Sequence, residues 1–278
     1  MLRDRAARSK APIGDQTKST PMTPPIISGL LAALCVFAQS ARAQSPSTTS
    51  TTSTPSAPSA PAQKFTPRFD PVTRNIEGWE VSIDPALLAG DHQEVGARAL
   101  SMLANHLQRI GVLVPAEPLA ALKKVGIWIE HSHPSLKAMQ YHPSEGWLRS
   151  NQHDPRLAKK VHIPQAKELF SRQQMLKHPA VVLHELAHGY HDQVLGFENP
   201  EVLKTFQHAE NAGLYRQVLL YTGETVKHYG LNNHKEYFAE GTEAYLYRND
   251  FYPFVRAELK EYDPQLHQLL EKVWGPAR

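Results

Sequence analysis

The chain has 278 residues, 41% hydrophobic and 21% charged, which suits one folded domain with extra segments and excludes disorder throughout. Its single cysteine excludes both a disulfide framework within the chain and a cysteine-rich metal site. Residues 1–43 hold six of the 30 Lys and Arg residues and two of the 27 Asp and Glu residues. The rest of the chain therefore has 24 basic and 25 acidic residues, a near-neutral balance that gives no reason to expect a nucleic-acid partner.

The first 43 residues have the three parts of a secretory signal peptide. A polar, basic region precedes the apolar run 26–38, and the small residues Ala41 and Ala43 follow it as a cleavage site. Met1 and Met22 are alternative starts. The thirteen-residue apolar run is too short to span a bilayer, so we expect no stable membrane insertion after cleavage. This pattern predicts an exported protein, either secreted or held outside the cytoplasm in the periplasm or at the cell surface.

Residues 44–64 are almost wholly Ser, Thr, Pro, Ala and Gln, a composition that cannot bury enough apolar area to offset the entropy of ordering. They predict a disordered linker, and residues 65–278 are left as the folded domain.

Short strands and one long helix are predicted in the first half of this domain. Hydrophobic residues alternate over 79–83 and again over 125–129, which favours strands, and helical spacing predicts an amphipathic helix over 93–110. Residues 141–160 are polar and predict a loop, in which Tyr141 and Trp147 either line a substrate cleft or pack as structural side chains. Residues 161–163 predict an edge strand that Pro164 ends.

Helices are predicted in the second half. They run from Pro179 to Gly196, from Asn199 towards Tyr215, from Asn233 to Tyr247 and over 263–274. Residues 218–226 form either a small hairpin or an irregular segment. Strands followed by helices indicate an α+β fold, which we interpret as zincin-like: a small twisted mixed sheet over an active-site helix, with a helical C-terminal part.

Residues 184–188 read His-Glu-Leu-Ala-His, an HExxH motif inside the first of these helices. Residues four apart on a helix share a face, so His184 and His188 can bind one Zn²⁺. Glu185 projects beside them and can remove the proton from a zinc-bound water, which then attacks a carbonyl carbon. The motif therefore predicts a zinc hydrolase.

A catalytic zinc needs a third protein ligand. The pattern in which Gly and a third His follow HExxH is excluded, because positions 191 and 194 are His and Val. Spacing alone favours Glu236 as the ligand, with Glu240 one helical turn on as a second-shell acceptor for an imidazole N–H. Two alternatives stay open on spacing: Glu240 as the ligand, and Glu236 as part of a capping box that begins at Asn233.

The run Tyr229 to Glu240, YGLNNHKEYFAE, together with HExxH upstream, resembles the catalytic domain of anthrax lethal factor and related secreted peptidases. The resemblance covers about residues 179–247. It implies a gluzincin-type zinc metallopeptidase in which His184, His188 and Glu236 are the metal ligands, Glu185 is the base and Tyr229 donates to the tetrahedral intermediate. The substrate-reading domains of the toxin have no counterpart here.

These observations predict an exported zinc metallopeptidase that cleaves a peptide or protein substrate. A zinc hydrolase of another amide, such as a cell-wall cross-link, is one alternative. A non-catalytic binding protein on an inactive zincin scaffold is the other, although such a scaffold has no need of Glu185.

Overall fold

The computed structural model describes residues 65–276. The predicted signal peptide, 1–43, and the predicted linker, 44–64, lie outside the described residues. Within the described part, no helix is both long enough and apolar enough to cross a membrane.

A mixed sheet dominates the first half of the described chain. Its strands are β1 (Val72–Ile76), β2 (Trp79–Ile83), β3 (Gly126–Ile129), β4 (Gln140–Tyr141) and β5 (Lys160–Ile163). Their order in space is β1-β2-β3-β5-β4. Strands β2, β3 and β5 are parallel, and the two outer strands are antiparallel to their neighbours. The sheet and the helices around it agree with the predicted α+β class.

Helices fill the connections and the second half. They are α1 (Gln93–Leu113), α2 (Ala116–Leu122), α3 (Glu145–Ser150), α4 (Arg172–Lys177), α5 (Val181–Tyr190), α6 (Pro200–Asn211), α7 (His234–Leu246), α8 (Arg256–Tyr262) and α9 (Pro264–Trp274). A small hairpin, β6 (Val218–Leu219) and β7 (Thr225–Val226), lies between α6 and α7.

The main core lies between the inner face of the sheet and helices α1 and α5. Leu103, Leu107 and Ile110 recur at helical spacing on α1 and are buried, as the amphipathic pattern predicts. All ten residues of α5 are buried, and this helix contacts α1, α2, α7 and the strands β4 and β5. The helix is therefore enclosed on every side, which explains its unbroken apolar composition around the HExxH motif.

The outer face of the sheet carries a second, smaller core. Trp128 of β3 packs there with Leu148 of α3 and Leu157, and Phe69 from the N-terminal segment lies against them. Residues 141–160 supply most of this cover, so the prediction of a plain loop was wrong. Helix α3 has only six residues, which are too few to show helical periodicity in the sequence. Ser144 caps its N-terminus by accepting from the Trp147 N–H.

The predicted edge strand at 161–163 forms as β5, but it lies between β3 and β4. On this side of the sheet the edge strand is β4 instead. Two residues are too few to show alternation, so the sequence could not reveal the strand that covers β5.

Two helix boundaries also differ from the prediction. Helix α5 begins two residues after Pro179 and gives way after Tyr190 to one turn of π-helix, His191–Leu195. Gly196 follows with a φ of +79°, a conformation that suits glycine and ends the helix where the sequence predicted. The helix opened by Asn199 stops at Asn211, short of Tyr215.

Candidate metal centre

Two imidazole side chains of helix α5 lie next to each other on one face of the helix. His184 and His188 lie one turn apart and are 4% and 9% exposed. Their Nε2 atoms are 3.1 Å apart. Two ring nitrogens this close share at most one hydrogen, so the pair suits a cation that both lone pairs can bind.

Glu236 completes the group from the first turn of helix α7. Asn233 caps this helix by accepting from the backbone N–H groups of Lys235 and Glu236. The side chain of Glu236 is thereby left to face helix α5, where Oε2 lies 3.2 Å from His184 Nε2 and 3.3 Å from His188 Nε2. The Asn233 side chain caps the helix through the backbone N–H groups of residues 235 and 236, while the Glu236 carboxylate lies at the two imidazoles, so the cap does not compete with a metal-ligand role for Glu236.

The three atoms form a nearly equilateral triangle, with edges of 3.1, 3.2 and 3.3 Å. Ligands at 2.0–2.1 Å from a tetrahedral zinc lie about 3.3–3.4 Å apart. Two imidazole nitrogens and one carboxylate oxygen are also a donor set that zinc hydrolases use. The residues therefore fit Zn²⁺ in number, type and spacing, and they would supply three of the four ligands of a tetrahedral ion.

Charge at the triangle favours a positive ion. Burial would raise the pKa of Glu236, but His188 and His184 together hold that pKa below its usual value. Burial would likewise lower the pKa of His184, but Glu236 and Glu243 raise it well above the ordinary value. A proton on His184 and a cation at the triangle consequently compete for the same place.

Glu185 lies beside the triangle and is held by the sheet. Its Oε2 accepts a hydrogen bond of 2.8 Å from the backbone N–H of Tyr141 in strand β4. Burial raises the pKa of Glu185, and the neighbouring Glu236 adds to the rise. A carboxylate with a raised pKa is a better proton acceptor at neutral pH than an exposed one, as a general base requires.

A second carboxylate orients His184 from behind. Glu243 Oε1 is 2.6 Å from His184 Nδ1 and 2.8 Å from His178 Nε2. The predicted second-shell residue, Glu240, lies farther away, 3.8 Å from the same Nδ1, and accepts from Asn249 Nδ2 instead. Glu243, three residues further along α7, is therefore the hydrogen-bond partner of the His184 ring, because its carboxylate lies closer to Nδ1 than that of Glu240.

Tyr229 begins a 3-10 turn, Tyr229–Asn232, directly before helix α7. The turn packs closely on α7: a Cβ at Gly230 would lie 3.3 Å from the Tyr237 Cα, next to Glu236. The side chain of Tyr229 is half-buried. The structure thus brings Tyr229 to the same end of α7 as Glu236.

Glu243 and His178 are residues of the site that were not predicted from the sequence. Glu236, Glu240 and Glu243 recur at helical spacing on one face of α7, so a signal for Glu243 was present. His178 lies outside both helices, and no spacing rule connects it with Glu243. Only the packing of α5 against α7 brings these two side chains together.

No family model and no curated protein matches this chain. Among solved structures, the chain is similar to the PRO-PRO endopeptidase PPEP-2 from Paenibacillus alvei. The two are 19% identical, the match covers 72% of this chain and 99% of that chain, and the TM-score is 0.42. The resemblance of residues 179–247 to anthrax lethal factor stays a prediction.

Proposed function

We propose that this protein is an exported, zinc-dependent metallopeptidase of the gluzincin type with a zincin-like fold. The observation that carries the proposal is the triangle of His184, His188 and Glu236, whose edges match those of a tetrahedral zinc site. Glu185 adjoins that triangle, and this pairing separates a hydrolase from a purely structural zinc site.

Each side chain has a distinct role. His184, His188 and Glu236 would hold the ion, and the helices that carry them are fixed by burial on both sides. Zinc bound there supplies Lewis acidity, which polarises the scissile carbonyl and lowers the pKa of water. Glu185 takes the proton from the attacking water and passes it to the leaving amine. Tyr229, assigned through the sequence resemblance, donates a hydrogen bond to the oxygen on which negative charge develops.

The outermost position of β4 in the described sheet favours an extended peptide as substrate. His142 uses its N–H and C=O to bond with residues 159 and 160, so the N–H and C=O of Tyr141 face away from β5. That N–H donates to Glu185, so the outer side of β4 runs directly past the base. A peptide backbone that pairs with such an edge would be held beside the catalytic carboxylate.

Export is proposed from residues 1–43 alone. The basic region, the short apolar run and the Ala-x-Ala site support removal of a signal peptide and a location outside the cytoplasm.

The test compares wild type with Glu185→Gln on a peptide library, with cleavage detected by mass spectrometry. Both proteins should carry the same zinc, because Glu185 is not a ligand. The wild type should cleave at defined bonds, and Glu185→Gln should lose about 10²–10⁴-fold in rate. Equal rates for the two proteins would contradict the proposal.

The same assay separates the alternatives when cell-wall fragments are included. Cleavage of a cross-link amide but of no peptide would favour the cell-wall hydrolase. If neither protein hydrolyses anything while both bind zinc, the non-catalytic scaffold is favoured.

A further inference from the structure

The hydrogen bond that holds Glu185 comes from an unusually short strand. Strand β4 has only two residues, and its ladder with β5 is correspondingly small. A strand of that length is not fixed by its own backbone pairing. The two backbone hydrogen bonds of His142 extend the pairing by one residue, and the place of the Tyr141 N–H then depends on what the Tyr141 side chain contacts.

The side chain of Tyr141 supplies that attachment. It is 5% exposed, and its hydroxyl donates a hydrogen bond of 2.6 Å to Asp192 Oδ2. Gln193 Nε2 donates to the same hydroxyl at 3.0 Å. Burial, followed by Asp192, raises the pKa of Tyr141, so the phenol stays protonated and keeps donating. The ring itself lies against the catalytic helix, where a Cβ at Gly189 would come 3.3 Å from Tyr141 Cε2.

Both partners of the hydroxyl come from the π-turn that follows the catalytic helix. Asp192 also pairs with Lys159 Nζ at 2.5 Å, and Gln193 also donates to the Lys159 carbonyl at 3.2 Å. Lys159 in turn donates its backbone N–H to His142, the residue after Tyr141. These contacts form a closed ring that connects strand β4, the residue before β5 and the segment after helix α5.

The arrangement has a consequence for the base. One end of Tyr141, its hydroxyl, is fixed to the segment after α5, and its other polar group, the backbone N–H, fixes Oε2 of Glu185 within α5. The distance between base and sheet is therefore set by one residue bound at both ends. A catalytic group misplaced by about 1 Å can cost about 10²-fold in rate.

We propose that Tyr141 is a positioning residue for Glu185: its hydroxyl, held by Asp192 and Gln193, fastens strand β4 so that its own backbone N–H orients the base. This rests on the proposed function, in which Glu185 is the base. The competing explanation is that the hydroxyl network only stabilises the fold.

The test uses Tyr141→Phe in the full chain, which removes the hydroxyl and keeps the ring. The matched control is Tyr245→Phe, because Tyr245 is also buried and its hydroxyl donates to the Gly275 carbonyl, at the other end of α7 from Glu236. Amide hydrogen exchange is measured by NMR on the metal-free proteins. We expect the Tyr141 amide to exchange at least about tenfold faster in Tyr141→Phe, with the amides of β3 unchanged. The control should leave the Tyr141 amide as in wild type.

Kinetics on the zinc-loaded proteins supply the second readout. Tyr141→Phe should lower kcat about tenfold or more at unchanged KM and zinc content, because only the base is misplaced. Asp192→Ala should behave in the same way, whereas Asp192→Asn keeps an acceptor for the hydroxyl and should retain most of the activity. These two variants also serve if Tyr141→Phe does not fold.

Unchanged exchange of the Tyr141 amide in Tyr141→Phe and Asp192→Ala would overturn the proposal. Equal acceleration in the Tyr245→Phe control would also overturn it, since that result is a general loosening of the fold. The exchange experiment needs neither zinc nor substrate, so its outcome is independent of whether the wild type proves to be a peptidase.

Discussion

Lowering the pH from 7.5 to 5.0 should destabilise the fold by a measurable amount through the imidazole of His162. This side chain is fully buried on the outer face of the sheet. Its Nε2 lies 3.1 Å from Glu130 Oε1, and its Nδ1 lies 3.2 Å from His142 Nε2. Since the carboxylate takes the hydrogen on Nε2, the neutral ring accepts from His142 at Nδ1 and both nitrogens are satisfied. A second proton, added at Nδ1, would point at the Nε2–H of His142, so the fold disfavours the charged ring.

The magnitude follows from the pKa of His162 in the two states. Burial, with Arg68 nearby, lowers the pKa of His162 to about 3, whereas an unfolded histidine titrates near 6.5. Between these values the unfolded chain binds the extra proton, so stability present above pH 6.5 is lost as the pH falls. One such group costs about 2 kcal/mol at pH 5.0. With a urea m-value of about 2 kcal/mol/M, His162 alone should account for about 1 M of the shift in the urea midpoint.

The assay is urea denaturation of the metal-free protein at both pH values, for wild type and His162→Gln. The glutamine keeps a donor for Glu130 but does not titrate, so its loss between pH 7.5 and 5.0 should be smaller than that of the wild type by about 2 kcal/mol. His208→Gln, at an exposed position on α6, is the control and should lose as much as the wild type. If His162→Gln also lost as much as the wild type, the imidazole would not be held neutral in the fold, and the reasoning from burial would be refuted.

Three further predictions concern the site and its helix. Glu243→Gln should weaken zinc binding about 10–100-fold in chelator competition, because it removes the charged hydrogen-bond acceptor of His184. Glu240→Gln should weaken zinc binding less, since Glu240 lies farther from that ring. An equal effect of the two substitutions would contradict the assignment of Glu243. Tyr229→Phe should lower kcat about 10²–10³-fold at unchanged zinc content, and unaltered steady-state kinetics would remove Tyr229 from the mechanism. Gly189→Ala should cost about 1–3 kcal/mol in urea denaturation, since its Cβ would lie 2.5 Å from Val125 Cγ1, and a stability equal to wild type would mean that the core yields there at no cost.

The sequence predicted those parts of the fold that have a long, regular pattern. Helix α1 and strands β2 and β3 formed where hydrophobic periodicity placed them, and Asn233 caps α7 as expected. Short elements escaped, because two residues of β4 or six of α3 carry too little periodicity to stand out from a loop. The sequence also could not predict which strand forms the edge of the sheet, because that depends on which segment lies beside β5.

At the site, the sequence could supply residue types and local spacing but not long-range contacts. HExxH fixes the relation between His184 and His188 because both lie on one helix. The contact of Glu243 with His178 spans 65 residues, and the hydrogen bond from the Tyr141 N–H to Glu185 spans 44. Such contacts arise from how α5 packs against α7 and β4, and a single sequence does not encode them in any readable spacing.

The central claim is that His184, His188 and Glu236 hold one zinc ion. Elemental mass spectrometry of the purified full chain, beside Glu236→Gln and Glu240→Gln, tests it most directly. We predict about one zinc per chain in the wild type and in Glu240→Gln, and a sharply reduced content in Glu236→Gln. Full zinc in Glu236→Gln, or no zinc in the wild type after reconstitution, would contradict the account.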